Sequence, residues 1–320
     1  MRADPLAGLT EAQRAAVTHP GGALAVTGGA GSGKTTVLAH RFAWLAAAQG
    51  SPRRLLAVVA SDRARDELLA RLAELVAPPY DELEVVTFHA LCHGIVASEA
   101  LEAGVDPLFV PVSRADRVAL LLDRLGELTL RRHEIRGNPA PLVASFVARI
   151  DRLKEEMVTP DTQMERARRA LQLAADGGDA ARSLAEREVE FAQIYADHDR
   201  LLADRGALDH GDLVLTAFRL LHERPHVRER VAARHRHVLV DEYQEATLAE
   251  GAVLGLLCAE HGQITVAGDD AQTRRRFGSV GGRNLADFAR EYPEATEIDL
   301  GPSQRCADAI ARVASAVVAD

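Results

Sequence analysis

The stretch Gly28-Gly29-Ala30-Gly31-Ser32-Gly33-Lys34-Thr35 constrains this chain more than any other. It fits the pattern G-x-x-x-x-G-K-[S/T], in which backbone N–H groups converge on a run of phosphate oxygens. Gly28, Gly31 and Gly33 let the backbone bend closely enough to wrap such an anion. Lys34 is expected to set a cation against the β- and γ-phosphates, and the Thr35 hydroxyl to ligate Mg²⁺. The flanks agree: Leu24-Ala25-Val26-Thr27 reads as a short buried strand, and Thr36 to Ala48 as a helix whose N-terminus faces the anion. A nucleotide cradled between Gly28 and Thr36 is the expectation.

A chain of 320 residues, 47% of them hydrophobic, has the length for two domains and the apolar content for a sizeable core. Aromatics are only 4%, whereas Ala, Leu, Arg and Glu are plentiful, so helix should dominate. Cys92, Cys258 and Cys306 lie far apart with no CxxC pair, which argues against a disulfide framework or a zinc site and suits a reducing compartment. No apolar run reaches membrane-spanning length and the N-terminus lacks a signal-peptide core, so a cytoplasmic location and no membrane partner are expected. The net charge of −9 argues against a generally basic nucleic-acid coat but leaves room for a local basic channel.

Along the chain, Thr10 precedes a helical pattern and reads as its cap. Gln13, just upstream of the phosphate loop, has an amide able to pair with an adenine edge; as an isolated residue it reads more readily as a solvated helix position. Leu55 to Ala60 and Val85 to His89 are further runs of strand length. Strands alternating with helices imply a parallel α/β sheet with the phosphate loop at the carboxyl ends of its strands. From about Asp106 the pattern is helical, over Arg114 to Leu128, Pro141 to Glu156 and Thr162 to Leu202, with no strand-like run. The α/β pattern resumes near Leu208, and His237-Val238-Leu239-Val240 ends in Asp241-Glu242. At such a strand tip Asp241 can hold Mg²⁺ through water and Glu242 can orient and deprotonate an attacking water. Ile264 to Gly268 is another strand, and Gln272 beyond it can sense the γ-phosphate or that water. Arg274-Arg275-Arg276-Phe277 sets cations beside an aromatic, a pairing suited to a nucleic-acid strand, although charge runs are commonly solvated loops.

In this order the pieces resemble the UvrD/Rep/PcrA-like superfamily 1 DNA helicases over nearly the whole chain. Leu9 to Val17 is similar to the family's Q motif, Gly28 to Thr35 to motif I, and Thr87-Phe88-His89 to motif Ib. Val240 to Glu245 resembles motif II, Gly268 to Gln272 motif III, and Ser303-Gln304-Arg305-Cys306 stands where the family has motif IV. The resemblance implies a RecA-like P-loop NTPase domain at 1–105 and 203–294, with a parallel sheet, interrupted by an all-α helical insertion at 106–202. It places 295–320 at the start of a second motor domain and implies that the motor continues beyond Asp320, into motifs V and VI. It further implies ATP hydrolysis with Mg²⁺ coupled to 3′→5′ movement on single-stranded DNA. Lys34, Thr35, Asp241, Glu242, Gln272 and Arg305 would then serve phosphate, metal and water, and Gln13 the adenine, while Thr87, His89 and Phe277 would lie along the DNA.

The departures from the family pattern are specific. Thr36 and Gln304 replace the arginine and tyrosine that stack adenine, and Ala60 and Asp62 replace a base-contacting phenylalanine and an uncharged neighbour in motif Ia. Arg275 and Gly278 replace a tyrosine and an arginine of motif III. Two readings follow: the N-terminal portion of a DNA-dependent ATPase motor, or a non-motor subunit that binds nucleotide and DNA as a structural partner in a helicase–nuclease assembly. A phosphate-loop kinase of small molecules explains neither Gln272 nor the motif order.

Overall fold

The computed structural model describes residues 4–78, 83–135, 137–176, 178–273, 285–305 and 310. Phe277, Arg274 to Arg276, Gly278, Cys306 and all but Ile310 of the final amphipathic stretch lie outside them. The chain divides into two compact units, residues 1–95 with 220–320, and residues 96–219.

The first unit is built on strands β1 (Ala23–Thr27), β2 (Leu55–Val59) and β3 (Glu84–Thr87), later joined by β6 (His237–Val240), β7 (Ile264–Gly268) and β8 (Thr296–Asp299). The intervening β4 (Val110–Pro111) and β5 (Ala207–Leu208) belong to the second unit. The six strands form one parallel sheet in the order β3-β2-β6-β7-β1-β8. Every residue of β2 and β7 is buried, the signature of a parallel sheet covered on both faces, and explains why their sequences are continuous apolar runs instead of alternating ones. Register sets the upper edge: Thr27 stands opposite Gly268 on one side and Asp299 on the other, while Val240 stands opposite Val266. The residues that follow these strand ends are therefore brought to one rim.

Helices α1 (Glu11–Thr18), α2 (Lys34–Gln49) and α3 (Asp62–Leu75) pack on this sheet through Val17, Val37, Phe42, Leu68 and Leu72. Arg41, on α2, is almost wholly buried and donates to the carbonyls of Ala16, Val17 and His19 at 3.0–3.1 Å and to Thr265 Oγ1 at 2.9 Å. It thus caps the end of α1 and fixes that helix beside the sheet. Burial lowers its pKa to about 10, still well above neutrality. Replacing Arg41 with Met should leave those carbonyls without a donor and cost about 3 kcal/mol. That corresponds to a fall of roughly 10 °C in the thermal midpoint followed by circular dichroism; a midpoint shifted by less than about 2 °C would refute the capping role.

Two sequence expectations are corrected here. The strand foreseen to reach His89 stops at Thr87, and Phe88–Ser98 is helix α4, because the Thr87 hydroxyl accepts the Ala90 N–H at 3.3 Å and starts the turn. Thr296–Asp299, placed by the sequence reading at the start of a second motor domain, is an edge strand hydrogen-bonded to β1 of the same sheet.

The second unit is mainly helical. Arg114–Asp123, Ala140–Glu155 and the 26-residue helix Gly178–Ala203 bury Leu121, Val143, Val147 and Leu202 in one cluster and Phe146, Ile150, Phe191 and Tyr195 in another, while Pro160–Leu173 buries Gln163 and Ala167. It is not entirely α: β4 and β5 pair in parallel over two residues each, too short to leave a periodic signal in the sequence. Glu190 accepts the successive backbone N–H groups of Arg131, Arg132 and His133 at 2.6–3.0 Å and so pins the loop before Ala140. No described helix is long and apolar enough to cross a membrane.

Candidate nucleotide-binding site

The site lies in the first unit, where β1 runs into the glycine-rich loop. Gly33 is the residue before α2 and holds φ at +96°; a Cβ there would lie 2.4 Å from Gln13 Nε2. Gly31 has φ +80° and approaches so near to the last described segment that a Cβ would meet Ser303 Oγ at 2.5 Å. Only glycine permits both the left-handed backbone and the contact. Because the residue before α2 is glycine, no side chain caps the helix, and its first N–H groups are left to an anion.

Around this loop the predicted residues gather as follows. Lys34 Nζ donates to Gly28 O at 2.7 Å and Gly29 O at 3.2 Å, curled over the loop it is expected to share with phosphate. The Thr35 hydroxyl donates to Asp241 Oδ2 at 2.9 Å. Burial, reinforced by the neighbouring Glu242 charge, pushes the Asp241 carboxyl up to about 6. A buried carboxylate short of positive charge beside a hydroxyl is an oxygen donor pair of the kind Mg²⁺ takes alongside phosphate oxygens and water. Among the described residues no group of three His, Cys, Asp or Glu side chains is arranged to hold a metal, so a nucleotide would have to complete the shell. Glu242 takes φ +52°, one of two described non-glycine residues with positive φ.

Lys34, Thr35, Thr36, Glu242, Gln272, Gln304 and Arg305, together with Gln13, Ala30, Gly31 and Gly33, line one open cavity of about 380 Å³. The motif IV stretch reaches it through two backbone bonds, Leu300 N–H to Thr27 O and Gln304 N–H to Gly31 O, both 2.9 Å. Ser32 is fully buried and its Oγ has no hydrogen-bond partner.

Gln13 is committed to local structure as well as facing the cavity. Its Oε1 accepts the Thr10 N–H at 3.1 Å in a capping box, and its Nε2 donates to Ser32 O at 3.0 Å. One N–H and one lone pair of the amide remain for a ligand. Two further cavity residues escaped the sequence reading. Arg71, on α3, donates to Thr36 Oγ1 at 3.3 Å, and His40 lines the same wall with Nδ1 2.7 Å from Pro5 O. Arg71 thereby brings a guanidinium to the position where the family's arginine is missing.

Thr87 and His89 stand apart from this cavity. Thr87 starts α4, while His89 lines a second, smaller cavity of about 160 Å³ with Ala60, Glu242 and Glu245. Phe277, the third residue foreseen along DNA, lies outside the described residues.

A parallel sheet with a glycine loop between strand and helix, a Lys-Thr pair on that helix and an Asp-Glu pair at a neighbouring strand tip define a RecA-like P-loop NTPase domain. The description UvrD/REP helicase N-terminal domain matches residues 9–293, and the chain belongs to that helicase family. It is 32% identical to the ATP-dependent DNA helicase UvrD1 of Mycobacterium tuberculosis over 98% of this chain and 39% of the relative. The Mycobacterium leprae UvrD1 gives 32% over 98% and 40%, and the Staphylococcus aureus helicase PcrA 28% over 96% and 39%. The chain thus spans about two fifths of the length of these relatives.

Proposed function

We propose that this chain binds ATP with Mg²⁺ over Lys34–Thr36 and supplies half of the machinery that hydrolyses it to drive 3′→5′ movement on single-stranded DNA. The observation that carries the reading is the convergence of Lys34, Thr35, Glu242, Gln272 and Arg305 on one cavity beside the Thr35–Asp241 pair. Thr35 and Asp241 would hold the metal, which supplies charge neutralisation at the phosphates when bound. Lys34 and Arg305 bind phosphate oxygens. Glu242 orients a water and takes its proton as the oxygen attacks the γ-phosphorus and the bond to the bridging oxygen breaks, with ADP leaving. Gln13 and Arg71 are assigned to the base and sugar end.

In this reading the sheet unit is the motor domain and the helical unit its insertion, with Thr87, His89 and Phe277 along the DNA. Buried, unpaired Cys92 and Cys258 are consistent with a cytoplasmic setting. The second reading, a non-motor subunit of a helicase–nuclease assembly, is favoured by Ala60 and Thr36, since neither offers a stacking face to a base.

The test is ATP turnover by the chain, with and without single-stranded DNA, beside Glu242→Gln. DNA-stimulated turnover that falls at least about 100-fold in the variant supports the motor reading. Nucleotide binding with no turnover, and with none restored by adding the C-terminal motor half of a related helicase, would overturn it in favour of the structural subunit.

A further inference from the structure

One buried side chain joins the tips of β6 and β7. Gln244 is fully buried in the short 3-10 turn Tyr243–Glu245 that follows Glu242. Its Oε1 accepts the backbone N–H of Asp269 at 3.1 Å, and its Nε2 donates to Glu242 Oε2. A backbone N–H only donates, so the oxygen end of the amide must face Asp269 and the NH₂ end must face Glu242. The approach from β7 is equally constrained: a Cβ on Gly268 would lie 2.6 Å from Gln244 Oε1. From Asp269 the connection continues, since its Oδ2 accepts from Gln272 Nε2 at 2.6 Å and its Oδ1 from the Ala271 N–H at 3.0 Å. Glu242 and Gln272, on different loops, are thus the two ends of one hydrogen-bonded chain.

We propose that Gln244 is a positioning residue for nucleotide hydrolysis, holding one oxygen of Glu242 so that the other faces the attacking water and linking that orientation to Gln272 through Asp269. The inference rests on the ATPase reading above. A carboxylate with both oxygens free rotates about its last torsion, whereas general-base catalysis needs one oxygen within hydrogen-bond reach of a water in line with phosphorus. The left-handed backbone of Glu242 makes that hold more necessary, because such a conformation persists only where its surroundings impose it. Gln244 neither accepts nor releases a proton; its amide is a spacer with a donor at one end and an acceptor at the other. Losing a donor to a charged acceptor is expected to change the affected equilibrium by about 10- to 100-fold.

The experiment measures the affinity of the chain for Mg²⁺–ADP and for Mg²⁺–ADP with aluminium fluoride, which mimics the phosphoryl group in transit with its in-line water. Two variants are compared with wild type, thermal midpoints reporting their folding. Gln244→Met keeps length without hydrogen bonding. Gln244→Glu keeps an acceptor for the Asp269 N–H but turns a like charge toward Glu242, and it carries the test if the Met variant does not fold. Expected is a wild-type preference for the fluoride complex that falls about 10-fold or more in the variants, with ADP affinity within about twofold of wild type. An undiminished preference in a folded variant overturns the proposal, as does an equal loss of affinity for both ligands, which marks a structural role. Wild type that binds ADP without preferring the fluoride complex overturns it too. Failure of wild type to bind ADP at all instead overturns the nucleotide-site reading beneath it.

Discussion

Lys154→Met is expected to unfold the helical unit or bring it close to unfolding. The Lys154 ammonium lies 2.9 Å from Asp199 Oδ1, 2.9 Å from Asp209 Oδ2 and 2.6 Å from Asp212 Oδ1. Asp209, fully buried, also takes Arg117 at 2.9 Å. Burial disfavours the lysine charge, yet Asp212, Asp209 and Asp199 outweigh it and hold the lysine pKa above its ordinary value. In the same way burial would raise Asp209, but Lys154 and Arg117 hold it well below the usual carboxylate range. Taking away one cation leaves buried carboxylates uncompensated, at about 3–5 kcal/mol, a large share of a domain's stability. There is no slack for rearrangement beside the stem, since a Cβ on Gly211 would lie 2.7 Å from Lys154 Cβ. The readouts are the denaturant midpoint and hydrogen exchange across residues 140–215, with near wild-type protection as the refuting result. The pH dependence has a definite sign. Burial, with the neighbouring Asp209 and Asp199 charges, pushes Asp212 up to about 6 even beside Lys154, against an unfolded value of about 3.9, and losing the lysine raises it further. A carboxyl raised in the folded state lends stability below its folded pKa and withdraws it as pH rises through that value. The deficit of the variant should therefore shrink between pH 7 and pH 5.

Much of the fold was legible from the chain because parallel strands buried on both faces write themselves as apolar runs. Leu55–Val59 and Ile264–Gly268 could hardly be anything else. Thr296–Asp299 escaped because an edge strand with two acids in four residues carries no such run; its place comes from pairing with β1. Likewise Val110–Pro111 and Ala207–Leu208 meet across almost a hundred residues, beyond any local pattern. At the site, the phosphate loop and the Asp-Glu tip were readable because the chemistry dictates both residue type and spacing. Arg71 and Gln244 were not. Arg71 comes to Thr36 from another helix, 35 residues along the chain, and nothing in its own neighbourhood distinguishes it from a solvated arginine. Gln244 has a role only because the sheet register sets Gly268 and Asp269 beside it. Such contacts depend on tertiary packing, and one sequence holds no periodicity that would reveal them.

Lys34→Ala is expected to weaken ATP binding by about 100- to 1000-fold while leaving the fold almost untouched. Without nucleotide the ammonium spends its hydrogen bonds on the carbonyls of Gly28 and Gly29. Lys34 itself lines an open cavity of about 380 Å³, so water can enter where the side chain was and the cost to folding should stay below about 1 kcal/mol. The nucleotide has no such substitute. Its β- and γ-phosphate oxygens lose a charge-assisted donor in a site where the helix N-terminus contributes only partial charges. Two such contacts at about 1.5–2 kcal/mol each, the lower end for hydrogen bonds to charged groups, account for the expected loss. ADP, which lacks the γ-phosphate, should be weakened less than ATP, and the ratio of the two losses reports how much of the lysine's effect is exerted at the terminal phosphate. The measurement is titration of the chain with a fluorescent ATP analogue, paired with thermal unfolding. Saturating ligand stabilises a folded protein by about 2.7 kcal/mol at a hundred times Kd, a shift the variant should not show at the same concentration. If a folded Lys34→Ala variant bound ATP as tightly as wild type, the loop from Gly28 to Thr35 would hold no phosphate. The nucleotide reading would then fall together with the roles given to Thr35, Asp241 and Glu242, because each of them is defined by its distance from that loop.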